Sequence, residues 1–218
     1  GLVGSEMCIR DSFSDVNAFS RGKQKTKRGG IWYTCQSGIW QSVWLESTPK
    51  QYLEKVKITP NYDESSVSFK YFGCDDVEVS IYDGDSLIAK TKDTTVSIPD
   101  FKSWSPESPF LYDVVFSACG EEIKSYFGMR KFSVGNDGKG VKRLFLNNKP
   151  YFHNGVLDQG YYPDGLLTPP ANDAMKFDVE YVKSAGFNMI RKHIKVEPLL
   201  WYHYCCLLYT SDAADDKA

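Results

Sequence analysis

No two cysteines in this chain stand in a CxxC spacing; the six are Cys8, Cys35, Cys74, Cys119, Cys205 and Cys206. Tetrahedral zinc sites and thioredoxin-type redox pairs are built on that spacing, so both readings are weak. Long apolar runs are missing as well. None approaches the roughly 20 residues that a membrane-spanning helix needs. Charge of one sign is also lacking, since 26 Lys and Arg face 28 Asp and Glu for a formal charge of −2. No global field therefore gathers nucleic acid or an anionic membrane. No signal-peptide pattern is visible either, an absence that bears on compartment only if the true N-terminus is present.

What the chain does have is aromatic mass, 15% of its 218 residues, with 14 Tyr, 13 Phe and 5 Trp. That content suits a β-rich protein and suits stacking on sugar faces, without establishing either. The length holds one large or two small domains with real cores. Lys and Arg do cluster in "RGKQKTKR" (21–28), a run that binds polyanions in some settings. Standing alone, without flanking basic helices, it reads better as a solvated loop.

The two ends differ from what they flank. "GLVGSEMCIRDS" (1–12) and "CLLYTSDAADDKA" (206–218) resemble translated sequencing-adapter read-through, with disordered termini as the plainer alternative. Fold reasoning therefore rests on residues 13–205. Between Gly30 and Glu46, two GIW units eight residues apart are broken by a Ser-Gly turn, which predicts strands at the edge of a β domain. From Tyr52 to Val134 short alternating runs follow one another. They are marked by Val56 and Ile58, then Val67, Phe69 and Tyr71, then Val77, Val79 and Ile81. Leu87, then Val96 with Ile98, Leu111 with Val115, and Phe127 with Met129 mark four more. Turn chemistry such as Asp83-Gly84-Asp85 separates them. Six or more strands in about 80 residues predict an immunoglobulin-like sandwich. Cys74 and Cys119 fall in this stretch, where a bridge across the sandwich and two free buried thiols both fit. Free thiols are the default without evidence of an oxidising compartment.

After Val134 the pattern changes. "RLFLNNKPYFHNGV" predicts a strand, an Asn-Asn turn and a second strand ending near Val156. A Gly/Pro/Tyr-rich loop leads to "NDAMKFDVEYVKSAG", where Asn172 or Asp173 is placed to cap a helix. Met175, Val179 and Val182 give that helix one apolar stripe, and Gly186 ends it. Phe187 to Ile190 is the next strand. Strand, loop, helix and strand make a βαβ unit of α/β architecture, in which loops at the strand ends hold the chemistry. The second strand empties into Arg191, Lys192, His193 and Lys195. Charge crowded beside a buried strand must be paired or solvated, and it reads as the floor of a pocket for an anionic or polyhydroxylated guest.

Five ordered blocks then carry a resemblance: "SGIWQSVWLE" (37–46), "WSPESPFLYDV" (104–114), "SYFGMRKF" (125–132), "LFLNNKPYFHNGVLDQGYYPDG" (144–165) and "GFNMIRKHIKVEPLLWYHYC" (186–205). Together they resemble glycoside hydrolase family 2, which includes β-galactosidases, β-glucuronidases and β-mannosidases. The resemblance implies a mixed multidomain fold. Residues 13–50 would be the C-terminal part of a jelly-roll sugar-binding domain, 51–133 the sandwich, and 134–205 the first β-α-β portion of a (β/α)8 TIM barrel. It further implies a retaining glycosidase, needing two carboxylic acids about 5 Å apart and no cofactor or metal. Both are glutamates on later barrel strands in the family, so no catalytic residue is assigned. Glu197 sits in a KVEP turn where the family places no catalytic acid, and Glu180 reads as a solvated helix charge.

Substrate-binding candidates are Asp158, Gln159, Arg191 and His193. Arg191 matches a family arginine at the end of the second barrel strand, where a fixed guanidinium orients carboxylates and holds sugar hydroxyls; a structural ion pair is its plain alternative. Relatives show Arg-x-x-His, whereas here the order is Arg191-Lys192-His193, which puts Ile194 at the usual histidine position. Either His193 takes the role through a local backbone adjustment, or the pocket is lined differently. Asp158 and Gln159 follow the first barrel strand, with loop capping as the alternative. His153 reads as packed inside. Tyr161 and Tyr162 read as a stacking wall or as loop packing. Trp32, Trp40 and Trp44 suit sugar stacking, but strand alternation favours core or interface packing for them. Trp104 reads as a structural plug.

The implied partner is an oligosaccharide or glycoside, with neither nucleic acid nor membrane expected. A non-catalytic carbohydrate-binding or adhesion sandwich is the competing reading, and the βαβ unit counts against it. Which sugar, which compartment and which oligomeric state stay open.

Overall fold

The computed structural model describes residues 23–36, 38–208 and 211–212, the last two as backbone. Cys8, Ser37, residues 1–12 and the first part of the basic run lie outside them. The chain divides into two compact units, one of residues 46–153 with 206–209, the other of residues 1–45, 154–205 and 210–218.

The N-terminal stretch is sparse in regular structure. β1 (Gln24–Lys25) and β2 (Tyr33–Thr34) form a two-residue parallel pair. The GIW pair, expected as edge strands, supplies only β2. Residues 38–45 run without regular structure, because no described strand offers their backbone hydrogen-bond partners. Of the basic run, Lys27 and Arg28 are exposed and Lys25 lies 4.2 Å from the centre of the Trp32 ring.

The first unit is driven by period-two alternation. Its strands are β3 (Lys55–Asn61), β4 (Ser66–Phe72), β5 (Val77–Asp83), β6 (Ser86–Thr91), β7 (Thr95–Ser97), β8 (Tyr112–Ala118) and β9 (Glu121–Phe127). They form a three-stranded sheet of order β3-β4-β7 and a four-stranded sheet of order β6-β5-β8-β9, antiparallel throughout. Val67 and Phe69 from the first sheet, and Val79, Ile81, Val114 and Phe116 from the second, join one buried core. Each such side chain contributes roughly 1.5–3 kcal/mol on leaving water. In β8 the expected phase is shifted by one residue. Leu111 and Val115 are half-buried, while Tyr112, Val114, Phe116 and Ala118 point inward. Adjacent Val114 and Val115 leave the phase ambiguous in sequence, and a one-residue slip flips every side chain to the other face. Trp104 is fully buried, with Gly128 against its ring and its backbone N–H donated to the Met129 carbonyl.

β10 (Phe132–Asn136), β11 (Lys142–Leu146) and β12 (Lys149–Pro150) form a further antiparallel sheet in this unit. Asn147 and Asn148, both at positive φ, make the two-residue turn that the Asn-Asn pair predicts. The strand expected to run on to Val156 is in fact two. Pro150 has no N–H to continue the ladder, and β13 (Gly155–Asp158) belongs to another sheet in the other compact unit. The change of pattern after Val134 thus precedes the edge of the compact unit, which falls at His153.

In the second unit, β13 runs parallel to β14 (Met189–Lys192), with α1 (Asn172–Ser184) between them in the chain. The expected stripe holds, with Met175 and Val179 buried and Val182 half-buried. The cap differs. Ala171 occupies it without a side-chain hydrogen bond, and Asn172 already stands inside the helix. Gly186, at φ +84°, closes the other end, its N–H donated to the Lys183 carbonyl. α2 (Leu199–Leu208), whose residues up to Cys205 belong to this unit, follows and buries Trp201 and Cys205, and β15 (Ser211–Asp212) lies parallel along β14.

Candidate functional site

The ends of β13 and β14 bring the predicted polar residues together. The parallel register sets Leu157 opposite Arg191 and Asp158 opposite Lys192. Successive residues on a strand face opposite ways, so the cations at the end of β14 are sorted. Arg191 is exposed, and no carboxylate of the described residues pairs with it. Lys192 turns to the covered face, its side chain 2% exposed, with Nζ 4.8 Å from the centre of the Trp201 ring.

Lys192 is there as part of a buried charge cluster. Its Nζ donates to Asp158 Oδ2 at 2.7 Å and lies 2.5 Å from Glu197 Oε1. Lys195 approaches Glu197 Oε2 at 3.0 Å, and the Glu197 side chain is 0% exposed. Each ammonium thus faces one oxygen of the Glu197 carboxylate at contact distance. Two cations and two anions enclosed together leave no net charge to solvate, the condition under which buried charge is tolerated. Burial pushes the Lys195 ammonium below its ordinary pKa, with Glu197 opposing that shift.

The cluster holds the loop that leaves β13. Gly160 donates its N–H to Asp158 Oδ1 at 2.7 Å, and its carbonyl accepts Lys195 Nζ at 2.5 Å. His193 N–H reaches the Asp158 carbonyl at 2.9 Å. Gly160 is needed because φ is +57° and a Cβ would overlap Glu197 Oε1. Asp158 is therefore held on both oxygens and remains 24% exposed.

Gln159 and His193 line a small recess together with Tyr33, Tyr161, Lys23 and Ile194. Its volume of about 20 Å³ holds one water molecule rather than a sugar ring. His193 Nε2 is buried without a partner among the described residues, and desolvation, Lys23 and Arg191 together hold the imidazole below its ordinary pKa. Tyr161 stacks on Tyr33 at 4.4 Å and its hydroxyl donates to the Thr34 carbonyl. Tyr162 donates to Asp178 Oδ2 at 3.1 Å, and burial pushes both groups up. Both tyrosines thus pack the loop. Trp40 lies 5.3 Å from Lys195 Nζ, whereas Trp44 is exposed. His153, in the other unit, is half-buried rather than packed inside, its ring edge-on to Tyr151 at 5.3 Å.

Sequence reasoning missed that Lys192, Lys195 and Glu197 neutralise one another. The signal was present, since a lone glutamate two residues beyond a lysine of a cationic run is its nearest counter-ion. Glu180 is the exposed helix charge expected of it, and it pairs with Lys176 at 3.5 Å.

Residues 51–130, nearly all of the seven-stranded sandwich, match the family described as Glycosyl hydrolases family 2. The sandwich is thus a domain of the glycoside hydrolase family 2 type. A β-galactosidase of Photobacterium profundum is 29% identical over 215 residues, covering 82% of this chain. One from Lactococcus lactis subsp. lactis is 27% identical over 198 residues, also covering 82% of this chain. The apo structure of Bacteroides uniformis β-glucuronidase 3 shares the fold at a TM-score of 0.67 and 19% identity, over 81% of this chain and 24% of that one. The chain spans 20% and 19% of the length of the two β-galactosidases.

Proposed function

We propose that this chain is part of a retaining glycoside hydrolase acting on terminal β-linked sugars. Residues 13–50 would end a jelly-roll sugar-binding domain, 51–133 form an immunoglobulin-like sandwich, and 134–205 open a (β/α)8 barrel. The β13-α1-β14 unit is the first turn of that barrel. Its uncovered face, which carries Leu157 and Arg191, is the face that further strands would close over. Arg191 faces the sugar site, Gln159 and His193 border it on the adjoining loops, Asp158 holds the loop that leaves β13 from the covered side, and the glutamate pair comes from later strands. No cofactor takes part in the displacement.

The observation that carries this reading is the sorting of charge at the strand ends. Lys192 and Lys195 are consumed by Asp158 and Glu197, which leaves Arg191 as the cation free to meet a guest. An exposed guanidinium on a strand whose neighbours are locked by buried ion pairs is pre-positioned for sugar hydroxyls or a carboxylate. The adhesion alternative gives no reason for such a strand end.

The test is the full reading frame, expressed and assayed on nitrophenyl β-galactoside, β-glucuronide and β-mannoside. Hydrolysis of one of them with net retention is expected. An Arg191→Ala variant should lose roughly 10²-fold or more in kcat/KM, about 3 kcal/mol of transition-state stabilisation. No turnover of any of the three, or an Arg191→Ala enzyme as fast as its parent, overturns the proposal.

A further inference from the structure

The sandwich carries a cysteine pair that plays no part in the sugar site. Cys74 lies in the segment joining β4 of the three-stranded sheet to β5 of the four-stranded one. Cys119 lies in the turn between β8 and β9. The pairing of Val77 with Ala118 at the adjacent ends of β5 and β8 brings these segments side by side. The Cys119 thiol donates to Cys74 Sγ at 2.7 Å, and Cys74 in turn donates to the Asp76 carbonyl at 3.7 Å. A movement of about 0.7 Å brings the two sulfurs to the roughly 2.05 Å of a disulfide bond.

A second observation concerns the turn itself. Cys119 and Gly120 are its two central residues, at φ +52° and +81°. A two-residue hairpin turn with both φ positive favours Asn-Gly, Asp-Gly or Gly-Gly, because most side chains resist that backbone. Cysteine there has no conformational advantage. Its advantage is position, with the sulfur aimed along the sheet edge at Cys74. The other end is fixed too. Gly73, at φ +86°, is packed so closely on Tyr52 and Glu54 that a Cβ would fall 2.6 Å from the Tyr52 carbonyl.

We propose that Cys74 and Cys119 are a reversible disulfide site that staples the inter-sheet crossover to the β8–β9 hairpin, with a small-molecule disulfide such as oxidised glutathione as oxidant. In the first step the Cys74 thiolate attacks one sulfur of the oxidant, forming a mixed disulfide and releasing one thiolate, which takes up the proton Cys74 has lost. In the second step Cys119 gives up its proton and attacks Cys74 Sγ, and the second small thiol leaves with that proton. Two protein S–H bonds are lost and one S–S bond is formed, while the small disulfide is reduced to two thiols. Donation to Cys74, then burial, then the charges of Cys74, Glu121 and Asp76 push the Cys119 thiol up to about 11. In the mixed disulfide Cys74 no longer carries a thiolate charge, so burial and the charges of Glu121 and Asp76 are what still hold Cys119 protonated, and the second step quickens as rising pH frees its thiolate.

The 218-residue chain, equilibrated with oxidised and reduced glutathione, acid-quenched, alkylated and digested, should yield a Cys74–Cys119 linked peptide pair as its main oxidised product. The bridge closes a loop between residues 45 apart, so the oxidised sandwich should unfold on the order of 10 °C higher than the reduced one. Cys119→Ser should abolish that difference while leaving the reduced transition in place, because Cys119 is exposed. Should that variant fail to fold, Cys74→Ser gives the same readout. Separate glutathione adducts on Cys74 and Cys119 with no link, or links to Cys35, Cys205 or Cys206 instead, overturn the proposal.

Discussion

Lys192 Nζ and Glu197 Oε1 stand 2.5 Å apart with both side chains withdrawn from water, 2% and 0% exposed. Removing one partner from such a pair leaves an uncompensated buried charge, which costs about 3–5 kcal/mol. Glu197→Gln keeps the shape and removes the charge, so it should destabilise the chain by about that amount in urea denaturation followed by tryptophan fluorescence. Glu180→Gln, which breaks the exposed pair with Lys176, should change stability by less than about 0.5 kcal/mol. Equal effects from the two substitutions would mean that the Lys192–Glu197 pair is solvated in solution.

Gly160 separates two effects that a glycine substitution usually merges. Gly160 at φ +57° and Gly84 at φ +58° share a backbone conformation, but a Cβ on Gly84 meets nothing within 4 Å. Gly84→Ala therefore carries the conformational cost alone, about 1 kcal/mol. Gly160→Ala adds a Cβ that must displace the Glu197 carboxylate and both lysines, and it should cost at least about 2 kcal/mol more. Thermal unfolding of the two variants checks this. Similar losses would show that the cluster yields freely around an added methyl.

How far the sequence speaks depends on whether a signal is local. The sandwich strands were readable because one buried face writes itself as alternation, as in Val77, Val79 and Ile81. The phase of β8 was not, because Val114 and Val115 are adjacent and only the partner sheet decides which turns inward. Asn147-Asn148 announced its turn through the left-handed conformation it favours, but the end of the following strand depended on which sheet could accept Gly155. At the candidate site the strand pattern puts Arg191 and His193 at the end of β14, although the strand runs Met189–Lys192 rather than from Phe187 to Ile190. The fate of Lys192 was hidden, since it depends on the parallel register with Asp158 and on Glu197 folding back from the KVEP turn.

Tyr71 offers a test of polar satisfaction in the core. Its ring packs with Phe69 and Phe116, yet its hydroxyl is buried without a partner among the described residues, and burial raises its pKa. An unsatisfied buried hydroxyl costs about 1–3 kcal/mol relative to a satisfied one. Tyr71→Phe should therefore leave stability unchanged or raise it by up to about 1 kcal/mol, read as an unchanged or higher Tm. A loss of 1 kcal/mol or more would reveal a partner, such as an ordered water.

His193 titrates where the proposed sugar wall meets the basic run. Desolvation, Lys23 and Arg191 all disfavour the imidazolium, so its folded pKa lies below the ordinary 6.5. Between that folded value and 6.5 the unfolded chain binds more protons, so this group makes stability rise with pH across the window and contributes no slope above it. At neutral pH the ring is uncharged and carries one donor and one acceptor nitrogen, the form that suits a sugar hydroxyl. Titration by NMR should place the His193 midpoint below 6.5, and Arg191→Ala should move it upward by removing one of the repelling charges. A midpoint at or above 6.5, or one indifferent to Arg191→Ala, would separate His193 from Arg191 and dissolve the wall into unrelated loop residues.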